Sequence, residues 1–168
     1  MSRGVLLLVL AALIAGSLPD VFAGSTASLM GVGYYVDYDA ASRATVQVHG
    51  EHLDWVITTN YEVDGRGTLR GTHDATIVEE ARSRGAKVQF RVINAGVSRD
   101  VVHRVLTRSN NRRRFEDGIV RILTTYGYDG VNVDLENIAP DDRPALTAFM
   151  TRLAARVQDR YFDTTDSP

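Results

Sequence analysis

The chain contains no cysteine. That excludes a disulfide framework, a thiolate metal site and the lipidated cysteine of a bacterial lipoprotein. An excess of one charge is also missing: 19 Lys and Arg stand against 21 Asp and Glu, for a formal net charge of −2. Such a balance gives no reason to expect nucleic acid or an anionic membrane surface as partner. No apolar run is long enough to span a bilayer, since the longest, Val5 to Ala15, falls well short of the roughly 20 residues required. Low-complexity segments and internal repeats, beyond an alternation of strand and helix patterns, are absent too.

What is present begins with a targeting pattern. Arg3 supplies a positive end, Val5 to Ala15 the apolar stretch, and Gly16, Ser17 and Pro19 the break. Val21-Phe22-Ala23 offers small residues for cleavage. The expectation is a signal peptide over 1–23, cut after Ala23, with an uncleaved amino-terminal anchor as the alternative. Export would bring the protein outside the cell or into its envelope, with no membrane attachment after cleavage. The remainder, about 145 residues, is sized for one domain. We expect that domain over 24–162 and a polar tail over 163–168.

Leu29 to Val36 reads as a first strand, with Tyr34 pointing to its inner face. Ser42 to Gly50 fits either a short strand or a helical turn. His49 and His52 lack the H-E-x-x-H order of a zinc protease and are read as loop or helix-end residues. Trp55 to Tyr61 is β-branched and forms the second strand, with Asp64-Gly65-Arg66-Gly67 as a turn. Thr72 or Asp74 caps the next helix, which Gly85 ends. Lys87 to Asn94 is the third strand. Val88, Phe90 and Val92 lie on one face and Gln89, Arg91 and Ile93 on the other. Ser98 caps a short helix that Asn110-Asn111 breaks. Arg112, Arg113 and Arg114 open the following helix and read as a solvated face with Glu116 and Asp117 as partners. After the fourth strand, Asp141 or Asp142 caps a last helix whose apolar stripe includes Phe149 and Leu153.

That fourth strand is the most informative stretch. From Val131 to Glu136 it alternates strictly. Val131, Val133 and Leu135 take one face; Asn132, Asp134 and Glu136 take the other. Two readings fit: a solvated edge strand with scattered acids, or a strand of a parallel α/β sheet with its acids on the inner face. In a barrel of the second kind, Glu136 lies nearest the carboxyl end, where such barrels hold their active sites. Two ionised carboxylates on one face repel, an arrangement that helps keep a general acid protonated. Arg91, if it points inward, needs an acidic partner, and Asp134 or Glu136 is the obvious one; contact with Glu136 would favour its ionised form and work against an acid's role, although Arg91 could also pair elsewhere or sit near the floor of the barrel.

Asp129-Gly130-Val131-Asn132-Val133-Asp134-Leu135-Glu136 resembles the D-G-x-D-x-D-x-E signature of glycoside hydrolase family 18. The family includes chitinases, endo-N-acetylglucosaminidases and peptidoglycan-directed hydrolases. The resemblance implies a TIM-type (β/α) barrel, of which this sequence carries the first four strand–helix units; a full barrel needs about 250 residues. It implies Glu136 as catalytic acid/base, Asp134 as the residue that orients the substrate acetamido group, and Asp129 and Asn132 as supporting residues. Asn132 replaces the middle aspartate of the pattern. By the same resemblance Tyr34, Tyr35, Asn60 and Tyr61 are candidate sugar contacts. Asn94-Ala95-Gly96 stands where family members carry a serine and paired glycines. The implied substrate is an N-acetylated polysaccharide or oligosaccharide, cleaved with its own acetamido group assisting and without metal or organic cofactor. Two copies, or a separately supplied second half, are the expected ways to close the barrel. The alternative is a half-barrel that binds glycan without cleaving it.

Overall fold

The computed structural model describes residues 29–159. The expected signal segment and polar tail lie outside the described residues. In chain order the elements are β1 (Val32–Tyr35), α1 (Ala40–His49), β2 (Trp55–Val63), β3 (Leu69–Gly71), α2 (Ala75–Ser83), β4 (Lys87–Asn94), α3 (Arg99–Thr107), α4 (Ser109–Tyr126), β5 (Gly130–Asp134) and α5 (Arg143–Val157). Four strands run parallel and pair in the order β1-β2-β4-β5. The short β3 lies antiparallel on β2, beyond the point where β1 ends. Parallel strands alternating with helices make this part of a TIM-type α/β barrel, as the sequence pattern predicts.

Local chemistry sets the helix starts. Asp39 accepts the Ala41 amide at 2.9 Å, Asp74 that of Ile77 at 3.2 Å, and Ser98 that of Val101 at 3.5 Å. These side chains satisfy backbone donors that have no partner inside the helix. The Asp39 cap decides Ser42 to Gly50, which becomes α1; only Val46 of its alternating apolar residues is buried there. Asp142 stands at the start of α5 without capping it, because its carboxylate turns to His103 at 2.9 Å. The break between α3 and α4 falls at Arg108, in extended conformation, and not at Asn110-Asn111. Asn111 instead donates its side-chain amide to the Gly65 carbonyl at 2.9 Å and so anchors the β2–β3 turn.

That hairpin is a feature the sequence pattern does not disclose beyond its turn. Asp64 accepts the amides of Arg66 and Thr68, both at 2.9 Å, which closes the turn. Gly67 has φ +80 and lies so close to α4 that a Cβ would stand 1.9 Å from the Asn111 carbonyl oxygen.

The core lies between the sheet and the helices. Val88, Phe90 and Val92 of β4 are fully buried, as are Val56 and Val63 of β2. They pack in one cluster with Ile77, Val102, Leu106, Ile119 and Leu123. Phe115 of α4 stacks on Phe149 of α5 with ring centroids 5.2 Å apart. At one edge of the core Tyr128 is completely buried, its hydroxyl 3.0 Å from His73 Nδ1, and His73 stacks on Tyr126 at 4.2 Å. Burial pushes the Tyr128 hydroxyl above its ordinary range and the His73 imidazole below its own.

Candidate active site

Strand register fixes which side chains share the inner face. Arg91 of β4 lies opposite Asn132 of β5, and Ile93 opposite Asp134, while Phe90 and Val92 lie opposite Val131 and Val133. The second set packs towards the helices. Asn132, Asp134 and, two residues past the end of β5, Glu136 therefore project to the other side, as the period-two alternation requires. Asp134 and Glu136 stand at the carboxyl end of β5, beside the loops that follow β4 and β5.

Arg91 joins the two carboxylates. Its Nε donates to Asp134 Oδ2 at 2.6 Å, and its Nη2 lies 3.5 Å from Glu136 Oε1. The Arg91 side chain is mostly buried, with 21% exposed, against 37% for Asp134 and 44% for Glu136. Of the placements open to Arg91 in the sequence, the structure takes the one in contact with both acids. The cation offsets the repulsion between them, and Asp134 holds the shorter, stronger contact.

Asn94, which the resemblance marks only as standing in place of a serine, takes a part in the site that motif reasoning does not assign. It is fully buried at the end of β4; its Oδ1 accepts the Glu136 backbone amide at 2.7 Å, and its Nδ2 donates to the Ser98 carbonyl at 3.2 Å. One side chain thus ties the backbone of Glu136 to the start of α3. The available signal was a polar residue in the helix-facing phase of β4, after Val88, Phe90 and Val92. Further out, Asn137 adopts φ 59 and Val97 φ 51. Asn tolerates this left-handed region, whereas a β-branched valine there is strained. Asn137 Nδ2 donates to the Val97 carbonyl at 3.4 Å, and Arg99 donates to Asn137 Oδ1 at 3.1 Å, so the two loops are joined beside the acids.

The remaining candidates divide. Tyr34 shares the inner face, opposite Ile57, and is 57% exposed. Tyr35 does not: it is buried on the helix side, where its hydroxyl donates to Asp74 at 3.1 Å, beside Arg43. Tyr61 is likewise buried, edge-on to Phe90 at 5.3 Å, because a bulge between Thr58 and Tyr61 shifts its phase. Both tyrosines are core residues and cannot reach a glycan on the inner face. Asn60 lies within that bulge, and among the described residues neither of its buried side-chain polar atoms has a hydrogen-bond partner. Asp129 sits at the opposite end of β5 from Glu136, roughly 20 Å away at the usual rise per residue. It accepts the Val88 amide at 2.9 Å and pairs with Arg82 at 3.2 Å, so it registers β5 on β4 and makes no contact with Glu136.

His49 ends α1 and His52 lies in the turn after it; among the described residues no group of three or more metal-ligating side chains converges. The partners expected for Arg112 to Arg114 are engaged elsewhere. Glu116 pairs with Arg152 at 3.3 Å and Arg156 at 3.1 Å, and Asp117 pairs with Arg156. Arg112 and Arg114 donate instead to the carbonyls of Leu106 and Arg66, each at 2.9 Å. Helix pairing between α4 and α5 outcompetes pairing along α4. No helix among the described residues is long and apolar enough to cross a membrane.

No protein-family model matches the chain. Known proteins do resemble it. It is 22% identical over 140 residues to the uncharacterized glycosylase YvbX of Bacillus subtilis, covering 80% of this chain and 40% of that protein. It is 23% identical over 113 residues to a cortical fragment-lytic enzyme of Bacillus cereus, covering 65% of this chain and 26% of that protein. The crystal structure of a chitinase from Chromobacterium violaceum superposes with a TM-score of 0.70 at 21% identity, over 79% of this chain and 43% of that one. The chain thus spans less than half the length of the relatives it matches. With its parallel sheet, its acids at the carboxyl end of β5 and these relatives, the chain resembles glycoside hydrolase family 18 over part of the family's barrel.

Proposed function

We propose that the protein is an exported glycoside hydrolase that acts on N-acetylglucosamine-containing glycans by a substrate-assisted retaining mechanism. The observation that carries this reading is the placement of Asp134 and Glu136 side by side on the inner face, at the carboxyl end of a strand in a barrel-type sheet. In the proposed reaction Glu136, protonated, gives its proton to the glycosidic oxygen as the bond to the anomeric carbon breaks. The substrate acetamido oxygen attacks that carbon from the other face, giving an oxazolinium ion. Asp134 orients the acetamido N–H and balances the positive charge. Glu136, now a carboxylate, takes a proton from water, which opens the ring with retained configuration. Tyr34 offers an exposed aromatic face on the same side for stacking on a sugar ring. Arg91 holds one Asp134 oxygen and leaves the other for the substrate amide.

Release of reducing ends from chitin oligosaccharides and from purified peptidoglycan tests the reading, with the chain run beside its Glu136→Gln variant. Loss of an acid/base is expected to lower the rate by about 10²–10⁴-fold. Equal rates in the two proteins would sink the proposal. A second reading, glycan binding without hydrolysis, is favoured by one observation: among the described strands, β1 and β5 each have one unpaired edge, which leaves the inner face open. It predicts binding in both proteins and cleavage in neither.

A further inference from the structure

We propose that Arg91 is a binding site for a carboxylate carried by the glycan, so that the site takes acid-bearing N-acetylated glycans in preference to neutral ones. The inference rests on the reading of Glu136 as general acid.

The two contacts of Arg91 are unequal. Asp134 is held through Nε at 2.6 Å, a short charge-assisted bond; Glu136 is 3.5 Å from Nη2, at the limit of hydrogen bonding. Glu136 must carry a proton to act as an acid, and in that form it is no longer an anion. The edge of the guanidinium that faces it then has N–H donors without an anionic partner. No other acid among the described residues contacts Arg91, and the residue opposite it in register is the neutral Asn132. The Arg91 side chain is largely buried, and its guanidinium presents a planar fork that suits a carboxylate. An anion arriving with the substrate completes its pairing. Chitin offers only hydroxyl and acetamido groups; a glycan whose N-acetylated sugars bear a carboxylate on an ether arm offers the missing charge.

The test uses the full chain in the Glu136→Gln background, where the neutral amide stands in for the protonated acid and the ligand is not cut. Calorimetric titration compares a chitin tetrasaccharide with a peptide-free tetrasaccharide of alternating N-acetylglucosamine and N-acetylmuramic acid. The acidic ligand is expected to bind about 10–100-fold more tightly, the range set by one charged hydrogen-bonded contact. Adding Arg91→Gln brings the two affinities to within about twofold of each other, whatever the displaced Asp134 costs both ligands alike. Adding Arg91→Lys keeps part of the preference, and raising the salt concentration weakens it. Should the Gln variant fail to fold, by thermal melting, the Lys variant carries the comparison. Equal binding of the two glycans in the Glu136→Gln protein, an unchanged ratio of their affinities after Arg91→Gln, or no binding of either glycan overturns the proposal. If wild-type protein cuts neither glycan yet the preference is present and depends on Arg91, the hydrolase reading fails and the carboxylate site stands.

Discussion

Replacing Asn94 with alanine measures how strongly the backbone of Glu136 is held from the neighbouring strand. The side chain is fully buried and makes two hydrogen bonds, one from the Glu136 amide at 2.7 Å and one to the Ser98 carbonyl at 3.2 Å. Each bond contributes about 1 kcal/mol net, and a partner left buried without replacement costs about 1–3 kcal/mol. Both partners are only half-buried, so water can reach them in part and the lower values apply. The small cavity adds to the loss, since the surrounding core does not fully collapse. The expected destabilisation is about 2–3 kcal/mol, read as a lower denaturant midpoint at unchanged slope. Asn94→Asp separates the two bonds: it keeps the acceptor for Glu136 but points a carboxylate oxygen at the Ser98 carbonyl. It is expected to cost at least as much. An Asn94→Ala protein within about 0.5 kcal/mol of wild type would refute the reasoning, because that is the range of an ordinary surface change.

Three further outcomes follow from the same structure. His73, packed under Tyr126 and beside Tyr128, has its imidazole held below the ordinary value by burial, with Arg82 nearby adding to the effect. A depressed folded-state value means its share of stability is complete above the unfolded-state value of about 6.5 and is lost as pH falls below it. Urea melts of His73→Gln should therefore show a smaller stability change than wild type between about pH 7.5 and 5; an identical change would count against it. Gly67→Ala forces a side chain into φ +80 with its Cβ 1.9 Å from the Asn111 oxygen, so the hairpin must leave α4. A loss of about 2 kcal/mol or more is expected by thermal melting, and no loss would mean the contact is absent in solution. Asp129→Ala removes the bond to the Val88 amide and should cost about 1–2 kcal/mol, yet leave any glycan hydrolysis by the folded fraction unchanged. A selective fall in kcat at full folding would return Asp129 to the chemistry.

Much of this fold was readable because the sheet has one buried face. The alternation of Val88, Phe90 and Val92 with Gln89, Arg91 and Ile93 has a single phase that covers the apolar set, and register carries that phase to Val131 and Val133. Phase reasoning failed where the period is interrupted. The bulge between Thr58 and Tyr61 turns Tyr61 into the core, and no local residue pattern announces it. At Tyr34 and Tyr35, adjacent residues necessarily take opposite faces, so only one of the pair could be a sugar contact. Asp129 belongs to the same motif as Glu136, but proximity in a motif along an extended strand is distance in space. The resemblance marks Asn94 only as a departure from the family's serine; its role is to hold a backbone amide, and backbone partners have no sequence signature. Arg112 to Arg114 show a further limit: the nearest acids in sequence were claimed by α5, a competitor that only the tertiary arrangement reveals.

The order β1-β2-β4-β5 has a consequence for how the acidic strand is acquired. Each parallel strand pairs with the parallel strand made before it, so the sheet can grow by accretion from one margin, with modest loop closure at every step. The strand that carries Asp134 and Glu136 docks on one that already presents Arg91, 43 residues earlier than Asp134 in the chain. The counter-charge is thus part of the template before the two negative charges are brought together, and assembly need never pass through a sheet bearing both carboxylates with no cation between them.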